Sequence, residues 1–126
     1  MITGIGTDIV QINRMENWLT NQKLLERYFH PDELNLASSR INSTAQTLAA
    51  RFAAKEAFGK ALGTGLKEIS LKDIIIYNDE SGKPEIKLSG TAQKAFEKSG
   101  ADKVHLSLSH EKENAIAMIV IERTTL

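Results

Sequence analysis

Between Ser43 and Gly65 the chain, STAQTLAARFAAKEAFGKALGTG, reads as one long helix with a glycine stop, and everything else has to be arranged around it. Ser43 and Gln46 have capping-box spacing, so the helix is expected to begin there and to run to Leu62. Gly63 and Gly65 supply the stop, because glycine adopts the left-handed conformation that ends helices. At about 100° per residue, Ala49, Ala53, Glu56 and Lys60 fall within a stripe of roughly 60°. Alanines on that stripe let a strand or a ligand come close to the carboxylate.

A chain of 126 residues with 41% apolar content can build one domain around a real core. Its 16 basic and 16 acidic residues cancel, so no global charge steers it toward nucleic acid or a membrane surface. Cysteine is absent, which excludes disulfides and thiolate-bound zinc. No apolar run is long enough to span a membrane, and the N-terminus lacks the pattern of a signal peptide. A soluble, cytoplasmic protein is expected, with no nucleic-acid or membrane partner.

The remaining elements follow from local pattern. Ile2 to Ile5 predict a short strand, with Gly4 and Gly6 allowing close backbone approach and Asp8 at its end. Arg14 to Phe29 predict an imperfect amphipathic helix, and Pro31, Asp32 and Glu33 open a second short one. After the main helix, strands are expected at Leu71–Tyr77 and Glu85–Leu88, joined by NDESGKP. A helix over Thr91–Ser99 closes on Gly100, and strands at Val104–Ser109 and Ala115–Glu122 flank the loop HEKEN. The sum is a single α+β domain over residues 1–126, an antiparallel sheet packed on a long central helix. The last strand is apolar on both faces, so part of it is expected to be buried against another copy of the chain.

Several residues carry chemistry worth weighing. Glu56 before Lys60 at i,i+4 is the favoured order for a surface ion pair, and also a way to present one group to a metal and another to a phosphate. Asp8 either turns the chain or joins Glu56 as a second hard oxygen ligand suited to Mg²⁺. Arg51, Lys55 and Lys60 could serve a phosphate, although a solvated face is the expected place for Arg51 and Lys55. A hydrolase reading of Ser109 and His110 fails, because adjacent strand residues point to opposite faces. His105 reads as a packed or edge residue of its strand. Neither a dinucleotide fingerprint nor a phosphate-binding lysine loop is present.

Taken together, GIGTDIV at Gly4–Val10, ARFAAKEAFGKALGTGL at Ala50–Leu66, GKP at Gly82–Pro84 and HLSLSH with AIAMIVIER resemble holo-acyl-carrier-protein synthase, the short single-domain type of 4′-phosphopantetheinyl transferase. The resemblance implies that fold. It also implies transfer of the phosphopantetheine arm of coenzyme A to a serine of an apo acyl carrier protein, within fatty acid biosynthesis. Asp8 and Glu56 match the family's metal-binding acids, with Mg²⁺ the implied cofactor. Lys60 matches a lysine serving the leaving phosphate, and either Glu56 or a metal-bound water would take the serine proton.

Arg51 and His110 match positions near the nucleotide's phosphates, and Gly63, Thr64 and Gly65 match the loop beside the nucleotide. A homotrimer with sites between subunits is implied, in line with the doubly apolar last strand. Two departures stand out. The implied carrier-docking helix keeps Arg14, Lys23 and Arg27 but is diluted by Glu16 and Glu26, and HEKEN replaces the SHT sequence common in relatives around His110. Two other readings are a non-catalytic coenzyme A-binding module and a metal-dependent diphosphate hydrolase.

Overall fold

The computed structural model describes residues 1–125. Strand β1 (Ile2–Gln11) leads into α1 (Ile12–Trp18), α2 (Gln22–Tyr28) and α3 (Pro31–Ser39), then the central helix α4 (Thr44–Leu62). The hairpin β2 (Ile74–Asn78) and β3 (Pro84–Leu88) follows, then α5 (Gly90–Ser99), β4 (Lys103–His110) and β5 (Asn114–Glu122). An antiparallel three-stranded sheet has the order β1-β5-β4, and β2 and β3 form a separate two-stranded sheet. Among the described residues, no helix is long and apolar enough to cross a membrane.

Helix α4 lies across β1 and β5 and owes that position to small residues on both sides. Its buried alanines include Ala49, Ala53, Ala57 and Ala61, while Gly4 and Gly6 stand opposite on β1. A Cβ at Gly6 would intrude on the carbonyl oxygen of Ala57, and one at Gly4 on that of Ala61. The expected close approach is therefore real, and it brings the inner face of β1 directly onto the helix backbone. Gly63 takes φ 80° and ends α4 with its N–H donating to the Lys60 carbonyl, as the glycine stop requires.

Several local expectations need correction. The first strand does not stop at Ile5 but continues to Gln11, because its inner positions Gly6, Asp8 and Val10 all face α4 while Ile5, Thr7 and Ile9 face outward. Asp8 thus stands within the strand instead of ending it. The helix expected over Arg14–Phe29 is broken in two, since the Asn21 side chain accepts from Leu24 N at 3.2 Å and starts α2 afresh. Ser43 makes no cap, so the capping box is missing from α4. The Thr44 hydroxyl instead donates to the Ala37 and Arg40 carbonyls, each at 3.1 Å. A capping box does form on α3, between His30 and Glu33. Leu71–Asp73 is a 3₁₀ turn, not strand, and two residues of the HEKEN loop belong to strands, His110 ending β4 opposite Ala115 and Asn114 beginning β5 opposite Gln11.

Strand β5 is covered on one face only. Ala115, Ala117, Ile119 and Ile121 are buried beneath α4, while Ile116 and Met118 are exposed beside Ile5 and Ile9 of the neighbouring strand.

Candidate active site

The strand–helix contact presents three side chains together. Lys60 Nζ donates to Asp8 Oδ1 and to the Thr7 carbonyl, both at 3.0 Å. Asp8 is sheltered, at 18% exposure, while Lys60 reaches into solvent at 54%. Glu56, one turn earlier on the same face of α4, is half-buried. Its carboxyl is raised above the ordinary value by burial and then by the neighbouring Asp8 carboxylate, with Lys60 and Arg14 opposing. Two neighbouring carboxylates with one open side are a natural seat for a cation. No group of three or more His, Cys, Asp or Glu able to hold a metal occurs among the described residues. A metal here would take two protein oxygens and complete its shell from water and phosphate, which is how Mg²⁺ is ordinarily held.

Arg51 and His110 lie elsewhere and lie together. They line a cavity of about 330 Å³ with Arg40, Asn78 and the Gly82–Pro84 turn. Arg51 was expected on a solvated face, but only 3% of it is exposed. It donates to the Thr47 carbonyl and to Asn78 Oδ1, each at a long 3.4 Å, and its Nε has no partner. Burial lowers its pKa, with Glu33 opposing and Arg40 reinforcing. A buried guanidinium that lines a cavity is a candidate partner for an anion there. That cavity contains none of Asp8, Glu56 and Lys60. The residues singled out from sequence therefore form two clusters, on different sides of α4.

Gly63, Thr64 and Gly65 follow directly from Lys60, with Gly65 at φ 68° and its N–H donating to the Gly59 carbonyl at 3.0 Å. Arg14 extends from α1, its guanidinium 5.3 Å from the Trp18 ring centroid and 5.4 Å from that of Phe52. Lys23 and Arg27 are exposed on α2.

Lys55 is the clearest surprise. A solvated position was open to it on sequence grounds, yet it is fully buried and bonded to Glu33 Oε1 at 2.7 Å. It also donates to the Leu71 carbonyl at 2.7 Å and to the Ile74 carbonyl. Glu33 completes its own bonding by accepting from His30 N at 3.0 Å and Ile76 N at 3.2 Å. The available signal was the run of alanine and phenylalanine around Lys55: a helix apolar on every side is a buried one.

The comparisons with known proteins agree along the length of the chain. The model of the 4′-phosphopantetheinyl transferase superfamily matches residues 4–119. Holo-(acyl-carrier-protein) synthase of Treponema denticola is 53% identical over 122 residues, covering 97% of this chain and 99% of the relative. The solved holo-(acyl-carrier-protein) synthase of Neisseria meningitidis superposes with a TM-score of 0.87 at 40% identity, covering 98% of this chain and 100% of that one. That of Bacillus anthracis, solved in complex with CoA (3′,5′-ADP), gives a TM-score of 0.80 at 42% identity, covering 98% and 99%. Matched in sequence and in fold over nearly its whole length, the chain belongs to the 4′-phosphopantetheinyl transferase superfamily.

Proposed function

We propose that this chain is a holo-acyl-carrier-protein synthase, moving the 4′-phosphopantetheine group of coenzyme A onto a serine of an apo acyl carrier protein. The observation that carries the reading is the convergence of Asp8, Glu56 and Lys60 where β1 meets α4. Asp8 and Glu56 are the residues to hold Mg²⁺, whose contribution when bound is to neutralise the diphosphate of coenzyme A. Lys60 donates to the leaving phosphate. In the transfer a bond forms between the serine oxygen and phosphorus, and the phosphorus–oxygen bond to adenosine 3′,5′-bisphosphate breaks. The serine proton passes to Glu56 or to a water held beside it.

The second cluster fits the nucleotide. Arg51 supplies a buried cation and His110 a ring beside it, while Gly63–Gly65, next to Lys60 in the first cluster, is the loop proposed for the phosphates. For both clusters to serve one coenzyme A, the Arg51–His110 cavity of one subunit must meet the acids of another. The exposed apolar residues Ile5, Ile9, Ile116 and Met118 on the outer sheet face supply a surface for that assembly, read here as a homotrimer. Arg14, Lys23 and Arg27 are the proposed carrier-docking cations on the α1–α2 side.

Incubation with coenzyme A, Mg²⁺ and an apo carrier from the same cell should raise the carrier's mass by one phosphopantetheine. An unchanged carrier with intact coenzyme A leaves only a binding module, and coenzyme A breakdown without carrier modification indicates a hydrolase. Mixing Arg51→Ala with Asp8→Ala protein tests the shared site: recovered activity supports it, and none refutes it.

A further inference from the structure

A separate cavity of about 510 Å³ lies between the loop that follows α4 and helix α5. Leu62, Ile69 and Ala95 form an apolar floor, each buried or half-buried. Lys67, Lys94 and Lys98 stand on the rim, all exposed. Among the described residues none of these three lysines has an acid within ion-pair distance. Lys94 and Lys98 are also one turn apart on one helix, a like-charge spacing that costs helix stability unless something negative sits against it. The nearest acid on that helix, Glu97, is engaged elsewhere by Gln93 at 2.8 Å. Glu68 is the lone acid of the lining.

The walls are fixed in advance. Ser70 N donates to Thr91 Oγ1 at 2.8 Å, and that hydroxyl donates to Asp73 Oδ2 at 2.6 Å, which ties the loop to the start of α5. The backbone of the walls is thus tied before a ligand arrives, and the cavity's volume is that of ordinary small-molecule sites.

We propose that this cavity binds a small amphipathic anion, an apolar chain carrying a carboxylate or phosphate head. The chain covers Leu62, Ile69 and Ala95, and the head sits between Lys94 and Lys98 with Lys67 opposite. Apolar floor and cationic rim together select this chemistry: a neutral chain leaves the lysines unpaired, and a bare anion leaves the floor wet. The cavity touches the proposed phosphate loop at Thr64 and contains none of Asp8, Glu56, Lys60, Arg51 and His110, so the proposal does not rest on the transfer reading.

The test is methyl NMR of Leu62, Ile69 and Ala95 in the full chain, titrated with octanoate, octyl phosphate, octanol and inorganic phosphate. Saturable shifts are expected with octanoate or octyl phosphate, whichever head the lysines prefer, and at least about tenfold weaker binding with octanol and inorganic phosphate. The paired variant Lys94→Gln, Lys98→Gln, on an exposed helix face, should weaken the anions about tenfold and leave octanol unchanged. Octanol binding as tightly as octanoate would overturn the cationic role. Inorganic phosphate binding as tightly as octyl phosphate would overturn the apolar one, and no saturable shift with any probe would overturn the site.

Discussion

Helix α4 carries two lysine–carboxylate pairs five residues apart, and their surroundings give them opposite work. Lys55 and Glu33 are both wholly enclosed, and every strong donor or acceptor they have is taken by α3, β2 or the turn before it. Lys60 and Asp8 meet at a similar distance, but the lysine is half in solvent and a half-buried carboxylate, Glu56, sits next to them with a raised pKa. The first pair is closed: nothing can enter without breaking it. The second is open, and an incoming cation or phosphate can replace either partner. Burial decides which pair locks the helix in place and which remains available to a substrate.

The closed pair should show the largest response to mutation. Lys55→Met leaves Glu33 charged and unpaired in the interior, and should cost about 3–5 kcal/mol in urea unfolding. Adding Glu33→Leu should recover most of that loss, because two apolar groups leave no orphan charge. An unchanged stability in the single variant would erase the contrast between the two pairs. Next comes the strand–helix contact that builds the open pair. Gly6→Ala drives a methyl into the Ala57 carbonyl and should cost about 1–3 kcal/mol, with transfer falling as Asp8 is pushed off the helix.

The open pair should respond in the opposite way. Lys60→Met is expected to change stability by less than about 1 kcal/mol while lowering carrier modification at least ~100-fold. The smallest effect is the pH dependence of Glu56. Because its folded-state pKa is raised, the folded protein holds this proton more tightly than the unfolded chain does. Its contribution to stability is thus full below the ordinary value of 4.5 and is lost as pH rises through the raised value. Glu56→Gln should remove that slope from denaturation curves measured across the window, and excess Mg²⁺ should lower the apparent pKa.

How much of this could be read in the sequence depends on the distance over which each interaction acts. The central helix and its glycine stop are local patterns, and so is the close approach at Gly4 and Gly6. Glu56 and Lys60 were visible as one face of a helix; Asp8 could be paired with Glu56 by its chemistry, but only the family resemblance chose that over a simple turn. The closed pair was hidden because Glu33 lies 22 residues before Lys55, and its position in the first turn of α3 has a sufficient local explanation. The split between α1 and α2 was hidden for a different reason, since the Asn21 cap overrides an apolar spacing that runs through it. The separation of Arg51 and His110 from the acids is a property of the folded surface, and no spacing along the chain reports it.

The most direct test is the rate at which Asp8→Asn protein modifies an apo carrier with coenzyme A and Mg²⁺, measured by carrier mass beside its urea stability. The account predicts a rate at least ~100-fold below wild type with stability changed by less than about 1 kcal/mol. A wild-type rate from the folded variant would contradict it.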